Sequence, residues 1–237
     1  MSAPGPAKAF LLAAGLGTRL RPLTDTTPKC LVPVGGMPLL HWWLVICERL
    51  GVKEVLINTH HLPEQVRAFV ASRPTKLSVS LTYESTLLGS AGTVSANKSF
   101  VQGEQDFWIF YADTLIGADL KPLSELHRSK KSDLTLGLFK SPDPKSGGVV
   151  ELSADGRVSS FEEKPAHPKS DLVAAGVYIG GPALLQVLPD GFGDLSRDVY
   201  PKLMKNACGA VLDPVIDLGT PQSYARAQKE WSHFGLR

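Results

Sequence analysis

Along the first half of this chain, short dense blocks of apolar residues alternate with stretches in which apolar positions recur every three or four residues. The first pattern marks a strand buried on both faces, the second an amphipathic helix. Residues 8–14 form an apolar run that stops at a glycine loop, which predicts a buried strand. Residues 38–50 are helical in length. They carry Leu39, Leu40, Trp43, Leu44, Ile46, Cys47 and Leu50 on a broad apolar face, and Gly51 follows as a stop. The same spacing rules predict strands at 53–58, 77–83, 106–112, 134–139 and 173–179, and helices at 63–71, 91–98, 120–131, 182–188 and 195–205. Segments 149–152 and 157–161 flank Asp155-Gly156, a hairpin turn signal. The last helix, 220–231, has Thr220 as N-cap and Pro221 at its first helical position.

Strands that alternate with helices predict a mostly parallel sheet with helices on both faces. The hairpin adds antiparallel strands, so the expected fold class is α/β, a three-layer α/β/α arrangement with a mixed central sheet, Rossmann-like in its first half. Repeats, low-complexity segments and interdomain linkers are absent from the sequence. Residues 8–237 are therefore expected to form one domain, after a small, proline-rich flexible tail at 1–7.

Composition narrows the function. With 43% hydrophobic and 20% charged residues the 237-residue chain is not disordered. A net charge of +2 gives no electrostatic footprint for nucleic acid or an anionic membrane, whereas a phosphorylated small molecule needs only local positive charge. No run approaches the roughly eighteen apolar residues of a membrane span. The short apolar run after Lys8 is cut off by Gly15, Gly17, Arg19 and Arg21, unlike a secretory leader. Cys30, Cys47 and Cys208 are far apart and lack CxxC spacing, which suits reduced thiols in a cytoplasmic protein. The 22 glycines and 18 prolines exceed average usage, and their positions matter: many fall beside the chemistry below.

Residues 11–34 read LLAAGLGTRLRPLTDTTPKCLVPV. Here a strand ends, two glycines open a loop, and Arg19, Arg21 and Lys29 follow. Bare glycine lets backbone N–H groups approach an anion. A dinucleotide-binding fingerprint would need glycine at position 20, which is Leu20, and the GK[ST] of a Walker loop is absent. Asp113 follows the apolar block Phe107–Ala112 and so belongs at the carboxyl end of a buried strand, the edge where α/β sheets gather ligands. Asp217 follows Val215-Ile216 and precedes Gly219.

GLGTRLRPLT followed by TPKCLVPV resembles the signature of the sugar-1-phosphate nucleotidyltransferases, the NDP-sugar pyrophosphorylases. LGSAGT at 88–93, Tyr111-Ala112-Asp113, FEEKP at 161–165, Ala175-Gly176 with Tyr178, and DLGT at 217–220 resemble further family motifs in the family's order. The resemblance implies the nucleotide-diphospho-sugar transferase fold and a Mg²⁺-dependent reaction of a nucleoside triphosphate with a hexose 1-phosphate. It assigns Arg19 and Lys29 to the phosphates as catalytic residues. Leu12, Ala13, Ala14, Gly15, Gly17, Thr18, Gly89 and Gly92 are assigned to the nucleotide. Gly148, Glu163, Lys164 and Ala175 are assigned to the sugar phosphate, and Asp113 and Asp217 to the metal. Strand alternation sends Glu163 and Lys164 to opposite faces, so a shared ligand requires a twist or bulge there.

Style and length look most like short bacterial mannose-1-phosphate guanylyltransferase-like proteins. A uridylyltransferase for glucose- or muramic-type phosphates, a non-catalytic sugar-nucleotide sensor and a cytidylyltransferase for a non-sugar phosphate are the alternatives. A homodimer is among the expected partners, since the family often forms one. Two departures stand out: Ala174 occupies the place where many members have asparagine, and the metal motif reads YAD where GD is commoner. His60, His61, His127 and His167 lack ligand spacing, and the Arg128, Lys130 and Lys131 cluster reads as a solvated helix end. Trp42-Trp43 on a helix would put one ring in the core and leave the other exposed as a weak sign of a subunit contact. Cys30 reads as an inert buried thiol.

Overall fold

The structure, a computed structural model, describes residues 5–236. Its strands are β1 Lys8–Leu12, β2 Pro33–Val34, β3 Met37–Pro38, β4 Glu54–Thr59, β5 Ser78–Tyr83, β6 Phe107–Tyr111, β7 Thr114–Ile116, β8 Leu134–Lys140, β9 Gly148–Leu152, β10 Val158–Glu163, β11 Leu172–Gly180, β12 Ala207–Val211 and β13 Val215–Asp217. Nine of them make one mixed sheet with the path β10-β9-β11-β6-β1-β4-β5, and β8 joins β11 on one edge and β12 on the other. The pairs β1–β4, β1–β6, β4–β5 and β8–β12 are parallel, while β11 runs antiparallel to β6, β8 and β9.

Alternation along each central strand divides the core in two. Ala9 and Leu11 of β1, Val55 and Ile57 of β4, and Trp108 and Phe110 of β6 face one side. They pack there with the helices Leu39–Leu50 and Pro221–Glu230. Phe10, Leu56, Phe107 and Ile109 face the other side, against the helix Gly89–Ala96 and the segment from Leu195 to Leu203. Strands buried on both faces read as unbroken apolar runs, which is why FWIFY was so legible. The three-layer α/β/α arrangement with a mixed sheet is thus present.

The predicted elements occur within a residue or two of their expected bounds, apart from the exceptions that follow. The expected helix 195–205 is three short pieces: a π-helical turn Leu195–Val199, an α-turn Tyr200–Leu203 and a 3-10 turn Met204–Asn206. Pro201 has no N–H to give the Arg197 carbonyl, so a regular helix cannot run through. Strand β12 and the ribbons β2–β3 and β7–β13 had no prediction. Both tryptophans of the Trp42-Trp43 pair are buried: Trp42 stacks on Trp231 at 5.9 Å and donates its Nε1–H to the Val34 carbonyl at 3.0 Å. The sign of a subunit contact there is withdrawn. Residues 1–4 of the expected tail lie outside the described residues. The carbonyl of Ala7 accepts N–H bonds from Lys53 and Glu54 at 2.7 and 3.2 Å.

Burial pushes the Cys30 and Cys47 thiols up to about 12, so both stay protonated and inert at neutral pH. Among the described residues, no helix is long and apolar enough to cross a membrane.

Candidate active site

The chain leaves β1 and builds outward through β4 and β5, then returns to place β6 on the opposite side of β1. A sheet whose winding reverses in this way opens a crevice at the carboxyl ends of the two strands. The Ala112 N–H, donated to the Leu12 carbonyl at 3.0 Å, holds the two strand ends together. The glycine loop after Leu12 and the aspartate after Ala112 therefore emerge side by side.

A cavity of about 300 Å³ opens there. It is lined by Leu12, Ala13, Ala14, Gly15, Lys29, Gly89, Tyr111 and Asp113, and also by Asn58, Glu84, Leu87, Ser90, Thr93 and Phe192. Seven of the residues assigned from sequence meet in it. Its floor is a buried polar network. Asn58 accepts the Ala13 N–H at 2.7 Å and donates to Glu84 at 2.8 Å and to Thr93 at 3.1 Å. Glu84, only 5% exposed, also accepts from the Thr93 hydroxyl at 2.6 Å and the Leu88 N–H at 3.1 Å. The network ties the first glycine loop to the 84–93 segment. Asn58→Ala strips the Ala13 N–H and one Glu84 oxygen of a partner at the largely buried floor of the cavity. It should cost about 2–4 kcal/mol in urea unfolding. A loss under about 0.5 kcal/mol would show that the network carries no weight.

A second cavity of about 480 Å³ touches the first at Tyr111 and Asp113. It exists because the sheet forks. Strand β8 pairs with one edge of β11 at 172–174 and again at 178–180, with a register shift between, while the other edge pairs with β9 at Val173 and with β6 from Val177 onward. Gly176 sits between, at φ +71°, where a Cβ would lie 2.9 Å from Cβ of Tyr111. A side chain would meet both backbone strain and that ring. Gly147, Gly148, Glu163, Lys164, Ala174 and Ala175 line the fork with Arg19, Asp113 and Asp217.

Glu163 and Lys164 do share this cavity. Strand β10 ends at Glu163, and Lys164 takes the left-handed conformation at φ +50°. Its N–H bonds to the Gly147 carbonyl at 2.9 Å, and its Nζ lies 4.0 Å from Glu163 Oε1. The required irregularity is a left-handed residue directly after the strand. Gly148 has no Cβ where Glu163 comes close: one would lie 3.1 Å from its Oε2.

Charge collects where the cavities meet. The Lys29 ammonium is 2.7 Å from Asp113 Oδ2. The Arg19 guanidinium lies against Gly219, and a Cβ there would be 3.0 Å from its Nη2 and 3.2 Å from Asp217 Oδ1. The β7–β13 ribbon pairs Asp217 with Thr114, and the Leu218 N–H bonds to the Asp113 carbonyl at 2.9 Å, so the two aspartates are neighbours. Burial works against the Asp113 charge, but Lys29 and, more weakly, Arg19 hold its carboxyl below the usual value. Burial and then the Asp113 charge push Asp217 the other way, above it. Two hard oxygen donors that repel each other beside an open cavity fit Mg²⁺, with phosphate and water completing its shell. Among the described residues no cluster of three or more His, Cys, Asp or Glu forms a closed metal site.

Three assigned residues lie outside both cavities. Gly17, at φ +64°, makes a turn backed by Thr24, whose hydroxyl donates to the Gly17 carbonyl at 2.8 Å. Thr18 opens an exposed 3-10 turn. Gly92 is buried against the Gly191 carbonyl. Sequence reasoning missed Asn58 and Glu84, isolated polar residues with no local motif, and gave Thr93 no role of its own although it closes LGSAGT. It passed over Phe192 between its two glycines. His60 and His61 are satisfied by the carbonyls of Glu84 and Thr24 at 2.7 and 2.9 Å.

Residues 8–233 match the family model described as nucleotidyl transferase. The chain is 39% identical over 178 residues to a glucose-1-phosphate thymidylyltransferase of Streptomyces griseus, covering 75% of this chain and 50% of that protein. It thus spans about half the length of that relative. It is 32% identical over 233 residues to a D-glycero-alpha-D-manno-heptose 1-phosphate guanylyltransferase of Aneurinibacillus thermoaerophilus, covering 96% of this chain and 99% of that one. The fold superimposes on that of HddC from Yersinia pseudotuberculosis, solved as a complex with GMP-PN. The TM-score is 0.78 at 23% identity, covering 95% and 99% of the two chains.

Proposed function

The chain belongs to the nucleotidyl transferase family, and on that premise we propose that it joins a nucleoside triphosphate to a hexose 1-phosphate, giving an NDP-sugar and pyrophosphate. The observation that carries the reading is the meeting of the two cavities at Asp113 and Tyr111, one apolar enough for a base and the other polar enough for a sugar.

A phosphate oxygen of the sugar 1-phosphate attacks the α-phosphorus, and the bond from that phosphorus to the pyrophosphate oxygen breaks. The sugar phosphate is already an anion at neutral pH, so no enzyme base or nucleophile is required. The work left to the chain is to position two polyanions in line and to offset their repulsion. Lys29 brings a cation to the junction of the cavities, and Arg19, which lines the second cavity against Gly219, offers a fork of donors to phosphates that reach the junction. Lys164 pairs with the sugar phosphate, and Glu163 accepts from sugar hydroxyls. When bound, Mg²⁺ on Asp113 and Asp217 supplies further charge neutralisation for the phosphates.

For the finer choice we favour GTP and mannose 1-phosphate. The sequence style supports it, as does the full-length likeness to a guanylyltransferase for a manno-configured heptose phosphate. The test is a pyrophosphate-release screen of GTP, UTP, dTTP, CTP and ATP against mannose, glucose and manno-heptose 1-phosphates with Mg²⁺. The highest kcat/KM is expected for GTP with mannose 1-phosphate. Another best pair would replace the substrate choice. No release from any pair, with nucleotide still bound, would overturn catalysis in favour of a sensor.

A further inference from the structure

We propose that Phe192 is the stacking surface for the base of the bound nucleotide. This rests on the nucleotidyl-transfer reading and adds a residue that the glycine-loop motif does not contain. Phe192 is 73% exposed, more than any other exposed large hydrophobic side chain among the described residues, yet it lines the first cavity. It is absent from the lining of the second cavity, so its partner belongs on the nucleotide side. An aromatic ring left in water at the mouth of an apolar pocket is suited to a flat apolar ligand.

The ring is held there by backbone. Gly191, at φ +83°, and Gly193 flank it. The Gly193 N–H bonds to the Leu88 carbonyl at 3.0 Å, and the Gly193 carbonyl accepts from Ala91 and Gly92 at 2.9 and 3.3 Å. Just beyond, the Leu195 N–H donates to the Ser90 hydroxyl at 2.8 Å. A Cβ on Gly89 would lie 2.3 Å from the Gly193 carbonyl oxygen and 3.2 Å from Cε2 of Phe192, and one on Gly92 would lie 2.4 Å from the Gly191 oxygen. The two glycines of LGSAG are thus the seat on which the Phe192 loop rests. The same loop occupies N–H groups at the start of the helix Gly89–Ala96, which leaves this end of the cavity to an uncharged ring rather than a phosphate.

The experiment compares Phe192→Ala and Phe192→Trp with the native protein. Base–aromatic stacking predicts that alanine raises the KM for the nucleoside triphosphate about tenfold, more for purines than for pyrimidines, and that tryptophan restores it to within about threefold. The KM for the sugar 1-phosphate and inhibition by inorganic tripolyphosphate, which has no base, should move less than about twofold. An equal rise in either control would overturn the proposal and make the loop a general scaffold. So would an unchanged nucleotide KM, with or without a change in sedimentation that marks Phe192 as covered by a second copy. If the native protein releases no pyrophosphate from any pair, the catalytic reading fails by itself. Equilibrium binding of GTP then decides: about tenfold weaker binding to Phe192→Ala supports stacking, and unchanged binding overturns it.

Discussion

Asp113→Asn should lower pyrophosphate release by about 10³-fold or more while the protein stays folded. The side chain keeps its size and shape, so the loss reports the charge and the acceptor oxygen it removes. Asp113 stands where the two cavities join, within reach of Lys29, and with Asp217 it forms the pair suited to Mg²⁺. Asp217→Asn should be as damaging to turnover, but its effect on stability carries a distinctive sign. Burial and the Asp113 charge raise the Asp217 carboxyl above its ordinary 3.8. A carboxyl with a raised folded-state pKa binds its proton more readily when folded. Stability is therefore lost as pH rises from the unfolded value through the folded one. In EDTA at pH 7 the Asp217→Asn protein should melt above the native protein, and the gain should vanish at pH 3.5. Asp113 has the opposite sign: its folded value is depressed, so it contributes stability above 3.8 that is lost on acidification through the folded value. Unchanged turnover in either variant would remove that aspartate from the metal assignment. A lower melting temperature for Asp217→Asn at pH 7 would contradict the repulsion.

Lys29→Met is the second large effect expected, a fall in turnover of about 10²–10³-fold. Methionine keeps the length and apolar stem of a side chain that is only 10% exposed, so packing changes little. What disappears is the one cation among the described residues lining the first cavity, 2.7 Å from Asp113. If Lys29 acts on charge that grows at the reacting phosphates, kcat should fall with the nucleotide KM moving less than about tenfold. A rise in KM at constant kcat would make it a binding residue only.

Much of this arrangement was legible because the central strands are buried on both faces and so declare themselves as apolar runs. The helix 39–50, with Gly51 in the left-handed conformation at φ +76°, announced itself by period and stop. The residues around Arg19, Lys29, Asp113 and Asp217 were found because contiguous motifs surround them. The parts that escaped are made by contacts distant in sequence. Ala207–Val211 is short and rich in small residues, and it becomes a strand only because β8 offers an open edge. Asn58, Glu84 and Thr93 are unremarkable one at a time; packing makes them a network. Trp42 looked exposed by helical spacing because its cover, Trp231, comes from the far end of the chain.

The fork at Gly176 separates two kinds of inheritance. The nucleotide side is framed by β1 and β6, whose side chains also build both cores, so change there disturbs the whole domain. The proposed sugar side is framed by the β9–β10 hairpin, which ladders with β11 only at Val173 and sends Val150 into the second core. On the proposed reading, substitutions at the cavity-facing ends of that hairpin, at Gly148 and Glu163, would alter which sugar fits while leaving the strands behind the glycine loop in place. A domain built this way can diversify its acceptor without relearning its chemistry.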